Sequence, residues 1–102
     1  MKKANIREAS SWFDVLLTAR HTQAAAMRLD PGGVSSESLN THETSDQVLL
    51  VLDGAVRADV GTERAELSRG DVVIVPAGTP HRFRSAGSRP AVTFNVYSPP
   101  AY

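Results

Sequence analysis

The 102-residue chain contains no cysteine, which excludes a disulfide framework, a thiolate metal site and a cysteine nucleophile. Any metal would have to be held by nitrogen and oxygen. An excess of charge is missing too: eleven Lys and Arg balance eleven Asp and Glu. The basic residues are scattered, so the electrostatic footprint of a nucleic-acid binder is absent. No stretch approaches the roughly 20 apolar residues of a membrane span, and the N-terminal MKKANIREASSW follows its lysines with polar residues instead of an apolar segment. The expectation is a cytoplasmic protein with neither a nucleic-acid nor a membrane partner. Also absent is any extended window with a helical apolar stripe.

What the chain does have is an ordinary globular composition, 41% hydrophobic and 22% charged, enough for one packed domain but not for a core plus a separate functional domain. Short apolar or alternating segments recur between Gly, Pro and Ser: FDVLL at 13–17, QAAAMRL at 23–29, QVLLVL at 47–52, AVRADV at 55–60, Arg64 to Leu67, DVVIV at 71–75, HRFR at 81–84 and AVTFNVY at 91–97. That spacing predicts an all-β sandwich or barrel. The alanines at 24–26 would also suit a helical turn on propensity. Asp30-Pro31-Gly32-Gly33 predicts a strong break, and Asp53-Gly54 a tight hairpin returning through 55–60.

Two stretches carry the chemistry. Asn40 to Gly54 (NTHETSDQVLLVLDG) sets a histidine and two amides ahead of an apolar strand, and Gly70 to His81 (GDVVIVPAGTPH) ends a second strand in a turn and a histidine. Strand alternation puts His81, Phe83 and Ser85 on one face with Arg82 and Arg84 on the other, and places Gln47 with Leu49 and Val51. His42 and Gln47 differ in parity, so a turn or bulge at Thr44-Ser45-Asp46 must intervene before both can point inward. If the two strands share a barrel, His42 and His81 face each other across its interior, which makes them candidate metal ligands. The alternative is a pair of hydrogen-bonded histidines in a metal-free pocket. Asn40 is either a ligand or a turn residue bonded to its own backbone. Glu43, adjacent to an inward His42, should point away.

These residues resemble those of a small single-domain cupin. The family's second motif, a glycine, five residues, Pro-x-Gly, two residues and a histidine, is matched by Gly70, Pro76, Gly78 and His81. The first, histidine-x-histidine, three or four residues, glutamate, six residues and glycine, is matched in spacing by Asn40, His42, Gln47 and Gly54, with amides at two of the four ligand positions. The resemblance implies a double-stranded, jelly-roll-like β-barrel. It would comprise an N-terminal arm with the first strands over 1–23, exchanged between subunits of a homodimer, and the barrel with a C-terminal strap over 24–102. It further implies a divalent transition metal (Zn, Ni, Fe or Mn) held by Asn40, His42, Gln47 and His81. An apolar lining of Met27, Leu29, Leu49, Phe83, Phe94 and Val96 is expected, unless these are simply core.

Two imidazoles and two amides bring no protein charge to a divalent ion, so binding should be weaker and more exchangeable than with a carboxylate in the set. Three functional classes stay open: a metal-dependent enzyme on a small substrate, a metal-free module binding a small sugar-like ligand, and a degenerate structural barrel.

Overall fold

A computed structural model describes residues 1–102. Eight strands follow a short 3-10 turn at Ile6–Glu8: β1 Phe13–Thr18, β2 Gln23–Leu29, β3 Asp46–Asp53, β4 Val56–Val60, β5 Glu63–Leu67, β6 Val72–Val75, β7 His81–Ser85 and β8 Ala91–Ser98. They form a five-stranded sheet in the order β1-β2-β8-β3-β6 and a three-stranded sheet in the order β5-β4-β7, every pairing antiparallel. The all-β expectation holds, and the alanines of β2 are extended rather than helical. No helix is long and apolar enough to cross a membrane.

From β3 onward the chain crosses repeatedly from one sheet to the other, so the two sheets close over a common core. That core contains Met27, Leu29, Leu49, Val51, Val56, Ala58, Leu67, Val75, Phe83 and Ala91. Phe83, Leu49, Val51, Val56 and Val75 are essentially solvent-free, and burial of each such side chain contributes about 1.5–3 kcal/mol. The segment between β2 and β3 runs beside β7: Val34 bridges Arg84 and Asn40 bridges His81. The arm folds back, with the Asp14 carboxylate accepting the Ser10 and Ser11 N–H groups at 2.8 Å each. β1 pairs with β2 of its own chain.

The outer faces of the two sheets differ. On the small sheet, the cross-strand neighbours Arg57–Glu66 and Asp59–Arg64 are ion-paired at 2.7 Å, an ordinary solvated face. On the large sheet, the ladder places Val96 beside Val48, which pairs with Ile74, and Phe94 beside Leu50, which pairs with Val72. Phe94 and Val96 therefore lie on the outside of β8 and are half-buried, while Thr93, Asn95 and Tyr97 face the interior. This reverses the expectation that Phe94 and Val96 line a pocket.

The Asp53-Gly54 dipeptide is not a hairpin. β3 and β4 belong to different sheets, and the tight hairpin joins β4 to β5 through Gly61 and Thr62 instead. Gly54 is required for a different reason. Its φ is +78°, and an added Cβ would lie 2.6 Å from the Pro90 carbonyl oxygen and 2.8 Å from the Ala91 Cα. Gly54→Ala should therefore cost at least about 2 kcal/mol, backbone strain plus overlap with main chain that cannot move aside. Gly70→Ala, at φ +92° in open space, should cost only the strain, on the order of 1 kcal/mol. Urea unfolding of both variants checks this, and equal losses would contradict the close-approach argument.

Candidate functional site

The loop before β3 and the turn before β7 are locked together by main-chain hydrogen bonds. Gly78 N–H donates to the His42 carbonyl at 2.7 Å, and Ala77 N–H donates to the Asp46 carboxylate at 2.8 Å. Asn40 and His81 exchange two backbone bonds, N–H to O, at 2.7 and 2.8 Å. A bend at Glu43–Thr44 then reverses the parity, and both histidines reach one cavity. Their ring centroids are 5.0 Å apart.

The cavity encloses about 150 Å³ at the barrel mouth. His42, His81, Gln47 and Asn40 all line it, as do Met27 and Phe83. Leu29 and Leu49, also expected in the lining, are buried in the core beneath. Aromatic rings close the rest: Phe13, Trp12, Tyr97 and Tyr102. Tyr97 packs edge-on against His42 at 5.2 Å, and Tyr102 against His42 at 5.5 Å. Gln23 holds the strap, its Oε1 accepting the N–H groups of Ala101 and Tyr102 at 3.1 and 3.0 Å and its Nε2 donating to the Tyr102 carbonyl at 2.7 Å. Glu37 and Glu43 are exposed and do not enter.

The protonation states follow from these contacts. His81 Nδ1 lies 3.0 Å from the Thr79 carbonyl, which can only accept. Nδ1 therefore carries a proton, which leaves Nε2 as the lone-pair nitrogen of the neutral tautomer. Desolvation, and secondarily the neighbouring His81, lowers the His42 pKa below the usual 6.5, so this imidazole is neutral at physiological pH. Burial pushes the Tyr97 hydroxyl far above the ordinary tyrosine range, with the Tyr102 phenol acting in the same direction. Burial likewise raises Tyr102. Both phenols stay protonated as hydrogen-bond donors.

The amides behave differently from each other. Asn40 is exposed, and its Oδ1 accepts the Thr41 N–H at 3.0 Å, a turn contact of the kind its residue type favours. Gln47 is buried, its Nε2 donates to Asn95 Oδ1 at 3.0 Å, and its Oε1 has no partner at all. An unpaired buried carbonyl oxygen costs roughly 1–3 kcal/mol and marks a place where a ligand atom would be welcome. The structure brings together no group of three His, Cys, Asp or Glu side chains. The potential donors that line the cavity together are two imidazoles and the Gln47 amide, a set that brings no carboxylate charge. Motif spacing singled out these three. It did not reveal Asn95 or Tyr97, although the odd-numbered parity of β8 was the signal that could have done so.

The cupin-domain family profile matches residues 25–97. An uncharacterized protein of Methanocaldococcus jannaschii is 30% identical over 76% of this chain and 62% of its own length. The quercetin 2,3-dioxygenase of Bacillus subtilis is 31% identical over 84% of this chain but only 22% of its own length. The chain thus spans less than two thirds of either relative. Among solved structures, a Bacillus halodurans protein superimposes with a TM-score of 0.88 at 26% identity, covering 95% of this chain and 76% of that one.

The lowered His42 pKa has a consequence for stability. The unfolded chain takes up the proton near pH 6.5, before the folded one does, so stability contributed by neutral His42 is complete above 6.5 and is lost as pH falls toward the folded-state value. In metal-free protein, denaturation midpoints at pH 7.5 and 5.5 should differ less for His42→Gln than for the wild type. An equal or larger difference in the variant would contradict the assignment.

Proposed function

The chain belongs to the family of cupin domains, and from that premise we propose that it is a metal-binding small cupin whose barrel mouth takes up a small molecule. The observation carrying this reading is the unpartnered Oε1 of buried Gln47 in a cavity that also presents His42 and His81. His42, His81 and Gln47 would hold the ion. Asn40, whose oxygen is committed to the Thr41 N–H, contributes less. A divalent ion there, Zn, Ni, Fe or Mn, would supply Lewis-acid polarisation of an oxygen donor on the bound molecule.

The chain's own residues set what can bind. No carboxylate or ammonium lines the cavity, so a ligand meets neutral groups: the Tyr97 and Tyr102 phenols, the Ser35 hydroxyl and aromatic faces. The rings shut out water and the phenols donate hydrogen bonds, which suits a compact, oxygen-bearing molecule. With His42 and His81 committed to the ion, no further general base lines the cavity for proton abstraction. The dioxygenase chemistry of the quercetin-cleaving relative extends to this chain only as one candidate, since the match spans 22% of that enzyme.

The second reading is a metal-free module for a sugar-like molecule, favoured by the Tyr97 and Tyr102 rings, which meet edge to face 5.1 Å apart beside the cavity. Calorimetric titration of chelator-treated protein with Zn2+, Ni2+, Mn2+ and, anaerobically, Fe2+ separates the two. One ion per chain is expected, with His42→Ala combined with His81→Ala abolishing binding in a folded barrel, and Gln47→Glu tightening it roughly tenfold by adding a charged ligand. Undiminished binding by the double variant would overturn the site. No binding of any ion by the wild type would leave the metal-free reading in its place.

A further inference from the structure

β8 buries the wrong residues for a plain barrel strand. Thr93 and Asn95 are completely inside while Phe94 and Val96 are left on the outer face, an inversion that gives up apolar burial and requires every interior polar group to find a partner. The partners form a directed chain. Thr93 Oγ1 donates to the Met27 carbonyl at 3.5 Å, Asn95 Nδ2 donates to Thr93 Oγ1 at 2.9 Å, and Gln47 Nε2 donates to Asn95 Oδ1 at 3.0 Å.

The direction is imposed from one end. A backbone carbonyl cannot donate, so the long 3.5 Å contact between Thr93 Oγ1 and Met27 can run only from the hydroxyl, and the two short bonds that follow carry the direction. The Thr93 oxygen then accepts, which takes the NH2 end of Asn95 and leaves its oxygen toward Gln47. That oxygen takes the NH2 of Gln47. The Gln47 oxygen is the one atom of this relay left over, and with Ser85 Oγ it is one of two buried side-chain atoms without a partner. Turning the Gln47 amide over would oppose two carbonyl oxygens in an environment of low dielectric, where such a mismatch is costly.

We infer that Thr93 and Asn95 are positioning residues: through the relay Met27 C=O, Thr93, Asn95, Gln47 they fix the Gln47 side chain so that it offers an oxygen, and not an NH2, to whatever the cavity binds. This rests on the proposed metal site for its functional consequence, but the relay itself is a property of the metal-free barrel. It also explains how a neutral amide can stand at a ligand position. A freely turning amide would present its nitrogen, which carries no lone pair for a metal, in part of the population, and the relay removes that population. The ligand the relay selects is an electron-pair acceptor such as a divalent cation or a ligand O–H or N–H group.

The test uses two variants and two readouts. Thr93→Val keeps the shape and removes only the hydroxyl that sets the direction, and Asn95→Leu removes the acceptor of the Gln47 NH2. In wild-type, metal-free protein, side-chain amide NMR should show the Gln47 and Asn95 NH2 protons slowly exchanging with solvent, with that protection lost for Gln47 in both variants. In titrations with Zn2+ or Ni2+, each variant should weaken binding by about 10-fold to 100-fold, the usual cost of removing a group that orients a ligand. Neither should weaken it further in a Gln47→Leu background, where a merely structural role would still show. Rapidly exchanging Gln47 NH2 protons in the wild type would overturn the relay, whether or not a metal binds. So would Zn2+ affinity unchanged by Thr93→Val and Asn95→Leu. If the wild type binds no ion but the Gln47 protons are protected and lose protection in Thr93→Val, the metal site fails and the relay stands.

Discussion

The constraint on which the rest of the structure depends is the satisfaction of polar groups buried inside the barrel. Once Thr93 and Asn95 face inward, each donor and acceptor has to be spent on another protein atom. Alanine opposite Asn95 on β2 and leucine opposite it on β3 offer it no side-chain partner, so its bonds run to Thr93 and Gln47, and the chain of donors ends at one uncommitted oxygen. The geometry of the candidate site is in this sense a remainder. It is what is left after the interior of β8 has been satisfied.

A second level of order brings the two histidines together, and it is carried by main chain. The Gly78 N–H on the His42 carbonyl and the paired bonds between Asn40 and His81 tie the loop before β3 to the turn before β7. Side-chain substitutions around the cavity can therefore change its chemistry without undoing its shape. This accounts for how amides can occupy positions where the family pattern has a histidine and a glutamate while the barrel still closes. Cupin barrels host many activities on one framework, and here the framework holds a cavity of neutral groups ringed by aromatics.

The two sheets also divide their labour by surface. Ion pairs cover the outside of the small sheet, whereas Val48, Leu50, Val72, Ile74, Phe94 and Val96 give the large sheet an apolar exterior. Ile74 is 63% and Val72 58% exposed. An antiparallel sheet ordinarily has one dry and one wet face. On β8 the apolar exterior is the counterpart of the polar interior row, because a strand that turns Thr93 and Asn95 inward must turn Phe94 and Val96 outward.

Sequence alone determined the class of fold, the single domain, the inward faces of β3 and β7, and the pairing of His42 with His81 and Gln47, since strand alternation and motif spacing are local properties of the chain. It misassigned Phe94 and Val96, took Asp53-Gly54 for a hairpin, and passed over Asn95 and Tyr97. The reasons are physical. Alternation in AVTFNVY separates two faces but does not say which is inside, and hydrophobicity points to the wrong one because the winning interaction is a hydrogen-bond chain to residues 48 and 66 positions away. Similarly, a glycine turn with positive φ serves a hairpin or a sheet-to-sheet crossing equally well, and only the approach of Pro90 and Ala91 shows which. Those decisions belong to tertiary structure, because they depend on what lies opposite a residue and not on what lies beside it.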